Sequence, residues 1–229
     1  MKHNNILEFQ VWGERALFSD PITSSAAGRT TLPVPTYEAL KGIISSVYWK
    51  PTLTWVIDMV RVMNRIRSEP ETALLRRYRS HSCELAVNTY LCDVRYHVQA
   101  HFIWNENRSE YECDRCEEMH YSRAKRMLAR GGTRQAFLGT RDCPCYVAPC
   151  SFPAGKGYYD NTDMDIGLIH HGFTYPDEAY NLQTQGALNE RLFHCRMEKG
   201  IIEFPPPWQC IHRFIGKRQA KVWNSLALV

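Results

Sequence analysis

Leu7, Phe9 and Val11 alternate with polar residues before Gly13. A period of two is the repeat of a strand with one buried face, so the chain is expected to open on a strand. Residues 19–35 break the pattern with Pro21, Ser24, Ser25, Gly28 and Arg29, a composition that holds no regular structure but suits contact with a ligand. Thr36 then offers a helix cap and Glu38 an acidic first turn. Ala39, Leu40, Ile43, Ile44 and Val47 recur at helical spacing, predicting a helix from Tyr37 to about Tyr48 that Pro51 stops. Residues 54–65, rich in Val, Ile and Trp, suit a second, buried strand.

Residues 65–81 carry Arg65, Arg67, Arg76, Arg77 and Arg79 with few apolar positions, so they are expected to leave the core as a basic inserted arm, near 65–85. Val94, Tyr96, Val98, Ala100, Phe102 and Trp104 then alternate with polar residues, the clearest strand pattern in the chain. Residues 117–130 place Ala124, Met127 and Leu128 on one helical face and end in Gly131-Gly132, a pair able to close a helix in the left-handed conformation. An Arg-bearing loop with Arg134, Gly139 and Arg141 leads to a short strand around residues 145–148.

The order is therefore β-α-β-β-α-β, the split βαβ arrangement, so the expected class is α+β with a ferredoxin-like (RRM-like) domain over residues 1–152. Past Phe152, glycines 155, 157, 167 and 172 punctuate short strand-like runs, and residues 192–204 read as a hairpin turning at Glu198-Lys199-Gly200. Residues 153–229 are expected to form a small β-rich region.

Composition narrows the function. With 229 residues, 44% of them hydrophobic, the chain can bury a core without disulfide staples. The start shows no secretory pattern, and the most apolar stretch, residues 55–63, is interrupted by Asp58 and Arg61, so a cytoplasmic protein without a membrane segment is expected. A formal net charge of +4 favours a polyanionic partner. Nine cysteines include the C-x-x-C pair Cys113 and Cys116 and a looser cluster of Cys143, Cys145 and Cys150. They read either as free thiols packed like small apolar residues or as ligands of a zinc-containing nucleic-acid-binding module.

Six stretches carry a more specific signal: residues 9–21 (FQVWGERALFSDP), 34–51 (VPTYEALKGIISSVYWKP), 93–102 (DVRYHVQAHF), 131–139 (GGTRQAFLG), 146–152 (YVAPCSF) and 172–178 (GFTYPDE). In this order, spanning nearly the whole chain, they resemble the type I-C (Dvulg subtype) form of the fifth CRISPR-associated protein family, within the RAMP superfamily. The resemblance implies an endoribonuclease that cuts the repeat of precursor CRISPR RNA without metal or other cofactor. It then stays on the crRNA 5′ handle as a Cascade subunit, contacting the large subunit and the backbone subunit and meeting DNA only within that complex.

The family's catalytic Tyr falls on Tyr48. Its Lys-His pair falls on Met119-His120, so the histidine is kept and the lysine is replaced. RNA can be cut without metal because its own 2′-hydroxyl attacks phosphorus, given groups that move protons and stabilise the phosphorane. His120 is expected as general acid or base and Tyr48 as the group that positions the 2′-hydroxyl or donates to the phosphate. Methionine has neither charge nor donor, so a nearby cation is expected to compensate: Arg115, Arg123 or Lys50, with Arg123 favoured because, three residues after His120, it shares its helical face. The arm with Arg76, Arg77 and Arg79 resembles the family's thumb, which implies that it clamps the crRNA backbone, and Arg29, Lys41, Arg134 and Arg141 are further phosphate candidates. Because Met119 weakens the catalytic reading, a non-catalytic subunit that holds the handle stands beside it.

Overall fold

The computed structural model describes residues 4–19, 28–76, 83–175 and 187–217. Its first half contains β1 (Leu7–Ala16), α1 (Tyr37–Val47), β2 (Leu53–Val62), β3 (Ser68–Arg76) and β4 (Cys83–Trp104). A 3-10 turn (Ser109–Asp114), α2 (Glu117–Ala129), β5 (Ala136–Phe137) and β6 (Pro144–Pro149) follow. The C-terminal part adds β7 (Met164–Thr174), β8 (Ala187–Glu198), β9 (Ile201–Glu203) and β10 (Ile211–Lys217).

Among the described residues these strands form one antiparallel, β-rich sheet in the order β10-β8-β9-β2-β4-β1-β6-β5, with β3 also on β4 and β7 also on β8. The chain is thus a mixed α/β protein in which the C-terminal strands join the sheet where β9 pairs with β2. No described helix is long and apolar enough to cross a membrane.

Local chemistry accounts for the helices. Thr36 caps α1 by accepting a hydrogen bond from the Ala39 N–H at 3.3 Å, and Tyr37, Leu40, Ile43, Ile44 and Val47 form its buried face. Helix α2 buries His120, Ala124 and Leu128. Both pack on the face of the sheet formed by Leu7, Phe9 and Val11 of β1, Trp55 and Ile57 of β2, and Tyr96, Val98, Ala100 and Phe102 of β4, all buried. The turn read at Glu198-Lys199-Gly200 joins β8 to β9. Lys199 and Gly200 both have positive φ, 50° and 78°, the handedness a two-residue hairpin turn needs.

The structure corrects several expectations. The second strand ends at Val62 rather than at residue 65, and the clean alternation from Val94 is only the second half of a 22-residue strand. Its first half pairs with β3, from Ser68 opposite Leu91 to Arg76 opposite Cys83, so the inserted arm is a β-ribbon. In the ribbon, β3 carries Glu69 and Glu71 beside Arg76, and Glu71 pairs with Arg15. Arg76 is exposed, while Arg77 and Arg79 lie outside the described residues. Strand β7 spans glycines that looked like punctuation; the β7–β8 register shifts just before Gly167 and just before Gly172.

A buried polar cluster ties α1 to the C-terminal strands. Arg191, 2% exposed, donates to Glu38 at 3.1 Å, to the Thr174 hydroxyl at 2.9 Å and to His171 Nδ1 at 3.2 Å. His171 donates through Nε2 to the Pro205 carbonyl at 3.0 Å and stacks on Tyr37 at 3.9 Å between centroids. Burial, then the Arg191 charge, pushes its pKa from 6.5 down to about 3. The fold therefore holds His171 neutral, whereas the unfolded chain takes up a proton below its ordinary pKa. Stability is full above pH 6.5 and falls as pH drops through the window between the two values. Going from pH 7 to pH 5 should cost roughly 2 kcal/mol from this residue alone, at ~1.4 kcal/mol per pH unit. Urea unfolding at the two pH values measures it, and His171→Gln, which can keep both hydrogen bonds, should flatten the dependence. An equal loss in that variant would assign the acid sensitivity elsewhere.

Candidate active site

Tyr48 is the residue that ends α1. Its N–H donates to the Ile44 carbonyl at 3.0 Å, and its carbonyl accepts from the indole N–H of Trp55 at 2.7 Å. Trp55, buried on β2, is fixed edge-on against Phe102 with 5.5 Å between ring centroids. The tyrosine backbone is thus anchored at both ends, and its ring points in the direction taken by the hydroxyl.

That direction is α2. The Tyr48 hydroxyl lies 2.7 Å from His120 Nδ1, and both side chains are buried, His120 completely. His120 Nε2 lies 2.7 Å from the main-chain carbonyl oxygen of Asp114, at the end of the 3-10 turn, and 3.6 Å from its carboxylate. A carbonyl can only accept, so the proton of the neutral ring sits on Nε2. Nδ1 is then an acceptor and Tyr48 is the donor. Trp104 and Phe102 wall the imidazole at 5.7 and 6.4 Å.

Burial raises the pKa of the Tyr48 hydroxyl, while hydrogen bonding and charge from Arg123 act in the opposite direction. The structure thus brings together Tyr48, His120 and Arg123, the i+3 cation on α2. Both imidazole nitrogens are occupied and the ring has no exposed surface, so His120 can reach a ligand only through Tyr48. Met119, the preceding residue, and Lys50, two residues past Tyr48, are half-buried.

The remaining candidates spread more widely. Arg134 lies at the exit of α1, where its N–H, the Thr133 N–H and the Thr133 hydroxyl all donate to the Ser46 carbonyl at 3.2, 3.3 and 2.8 Å. Gly132 in this loop has φ of 104°, and a Cβ there would crowd the Val47 Cα at 3.4 Å. Lys41 forms an ion pair with Glu38 at 3.9 Å on α1. Arg29 is exposed at the root of the β3–β4 ribbon, where its N–H donates to the Asn88 side chain at 3.0 Å, and Arg141 is exposed before β6.

Sequence reasoning missed the carbonyl of Asp114 and the indole of Trp55, because neither contact has a residue-type signature. The cysteines part company by burial: Cys113 and Cys116 are exposed, Cys143 and Cys145 buried. Burial pushes the Cys145 thiol up to about 12 and the Cys150 thiol up to about 11, which keeps both protonated and poor as ligands. Among the described residues no group of three or more His, Cys, Asp or Glu side chains is placed to share an ion.

Residues 6–205 match the model of the Cas5d family, described as a CRISPR-associated protein (Cas_Cas5). A protein of Thermus thermophilus named CRISPR pre-crRNA endoribonuclease Cas5d is 25% identical over 221 residues, covering 87% of this chain and 91% of its own length. One of the same name from Mannheimia succiniciproducens is 24% identical over 229 residues, covering 88% and 96%. Two solved structures superpose closely. A CRISPR-associated protein gives a TM-score of 0.75 at 31% identity, and a functionally uncharacterized protein from Streptococcus mutans gives 0.74 at 36%; each covers 91% of this chain and 96% of its own.

The geometry makes a spectroscopic statement. The imidazole nitrogens of His120 should show a protonated Nε2 and an acceptor Nδ1 by 15N NMR, and Tyr48→Phe should shift the Nδ1 resonance while leaving Nε2 in place. That substitution should cost about 1 kcal/mol of stability, the worth of one buried hydrogen bond. An Nδ1–H tautomer would contradict the arrangement.

Proposed function

The chain belongs to the Cas5d family of CRISPR-associated proteins, and from that premise we propose that it cuts the repeat of precursor CRISPR RNA and stays on the crRNA 5′ handle as a Cascade subunit in the cytoplasm. The observation that carries the cleavage reading is the buried 2.7 Å contact between Tyr48 and His120, with Arg123 beside the tyrosine. The naming of both curated relatives as pre-crRNA endoribonucleases supports it.

In this reading Tyr48 touches the RNA and His120 acts through it. Tyr48 takes the proton of the substrate 2′-hydroxyl as it passes its own to His120 Nδ1, and the 2′-oxygen attacks the adjacent phosphorus. The P–O5′ bond breaks, water protonates the departing oxygen, and the products carry a 2′,3′-cyclic phosphate and a 5′-hydroxyl. The Asp114 carboxylate, 3.6 Å from Nε2, stabilises the imidazolium while it lasts. Arg123 faces the negative charge that builds on the phosphorane, the task a lysine at position 119 would otherwise share. No step needs a metal ion or other cofactor.

The ferredoxin-like description of residues 1–152, with 153–229 as a β-rich extension, belongs to the same proposal. It is supported by the antiparallel order β2-β4-β1-β6, in which α1 connects β1 to β2 and α2 connects β4 to β6. Arg29, Arg76, Arg134 and Arg141, exposed around this body, are proposed phosphate contacts together with Arg77 and Arg79; Lys41 is a weaker one because Glu38 competes for it. A second reading, a subunit that holds the handle without cutting it, draws on Met119, which offers no charge.

Single-turnover cleavage of repeat RNA in EDTA, with protein saturating, separates these readings. We expect one discrete cut with cyclic-phosphate ends, and a loss of about a hundredfold in rate for Arg123→Ala, as when a charged donor is removed from a developing anion. Tyr48→Phe should cost at least as much, and Met119→Lys should change little because Arg123 already supplies the charge. A strong acceleration by Met119→Lys would transfer that role away from Arg123. Loss of cleavage in EDTA with rescue by magnesium would sink the mechanism, and RNA bound but uncut by the wild-type chain would favour the second reading.

A further inference from the structure

The face of the sheet away from the helices carries an aromatic row that plays no part in the Tyr48 site. Trp12 on β1 stands directly opposite Tyr146 of β6 on one side and Arg95 of β4 on the other, so the three side chains share one face in one line. The rings of Trp12 and Tyr146 are stacked, with centroids 5.8 Å apart and planes 29° from parallel, and Tyr146 is 64% exposed. Beside Arg95 the backbone links to a loop: the Met63 N–H donates to the Arg95 carbonyl at 3.0 Å, and the Tyr158 N–H to the Met63 carbonyl at 2.9 Å. Tyr158 is 59% exposed, with the Arg65 guanidinium 6.0 Å from its ring.

The neighbours of these residues along the strands, Val11, Val147 and Tyr96, are buried in the core beneath the helices, so the row is excluded from the core by the strand period itself. Single exposed aromatics are ordinary, but a stacked pair in line with an arginine across three adjoining strands, with a further exposed tyrosine on the neighbouring loop, is a surface of particular chemistry. Flat rings offer π faces and the two guanidinium groups offer positive charge, which is the combination that takes up unpaired bases and the phosphates between them. A duplex keeps its bases stacked inside and cannot use such a surface.

We propose that Tyr146, stacked on Trp12 and flanked by Arg95, is a platform on which unpaired bases of single-stranded RNA stack, on the face of the sheet opposite the Tyr48–His120 pair. This rests on RNA being the ligand of the chain, but not on cleavage. The platform accepts any base, because every base has a π face, so its role is to hold an unpaired stretch of the RNA rather than to read its sequence.

Binding of a labelled oligoadenylate of about ten nucleotides, followed by fluorescence anisotropy alongside a duplex RNA of equal length, tests the proposal. Tyr146→Ala, at an exposed position, should weaken single-strand affinity roughly tenfold while the duplex is little affected. Tyr146→Phe should bind as the wild type does, since it keeps the ring, and Arg95→Ala should weaken binding and lower its dependence on salt. Unchanged affinity in Tyr146→Ala, or a Phe variant as weak as the Ala variant, overturns the platform. Unchanged RNA affinity with lost association of other Cascade subunits would make the row a protein-docking face instead. A chain that binds oligoadenylate through Tyr146 yet cuts no repeat RNA would keep the platform and end the nuclease reading; a chain that cuts but binds independently of Tyr146 would do the reverse.

Discussion

Strand β4 is the element on which the other parts depend. Its 22 residues pair with β3 over the first half and with both β1 and β2 over the second, so one continuous backbone carries the ribbon and the centre of the sheet. A strand that changes partners must break its ladder somewhere, and here the break is at Asp93, whose φ is 50°. The groups freed at the break are taken up nearby. The Asn64 amide donates to the Asp93 carbonyl at 2.7 Å, and the Cys92 N–H donates to the Arg67 carbonyl at 2.9 Å.

The same strand builds both proposed sites because successive side chains point to opposite faces. On the helix side Phe102 and Trp104 wall His120, and Phe102 also steadies Trp55, which in turn holds the Tyr48 carbonyl. On the other side Arg95 stands in line with Trp12 and Tyr146. The two proposed sites therefore lie on opposite faces of the sheet and share only the register of β4. A slip of one residue would exchange the two faces and lose both.

What the amino-acid pattern revealed, and what it did not, follows from how much each element depends on its own residues. Helix α1 has a side-chain cap, an apolar stripe and a terminating proline, all local, and the structure differs from the reading by one residue at its end. The β3 strand was invisible as a strand because the ribbon exposes both of its faces, so no alternation is selected there. Strand β7 hid behind glycines that follow its two register shifts against β8: Gly167 has a φ of 90°, and a Cβ on Gly172 would collide with Glu38 and Arg191. Of the candidate site, Tyr48 and His120 came from resemblance and Arg123 from helical spacing. The Asp114 carbonyl has no residue signature, and the Arg191 cluster joins positions 153 residues apart through Glu38, a pairing that only the folded chain reveals.

The burial of His120 governs how the Tyr48 site can work. An imidazole sealed among Trp104, Phe102 and Tyr48, with its Nε2 proton given to a main-chain carbonyl, offers one usable lone pair, and that lone pair already faces the tyrosine hydroxyl. Burial alone makes tyrosine harder to ionise, which would leave the hydroxyl inert. Arg123 opposes that burial from the same helix that carries the histidine, so the base and the compensating charge arrive together, three residues apart on one face. In the proposed mechanism, Arg123 on the next turn of the same helical face takes the place of a lysine at position 119. Its charge opposes the effect of burial on the tyrosine, and in the proposed mechanism it would also face the phosphorane.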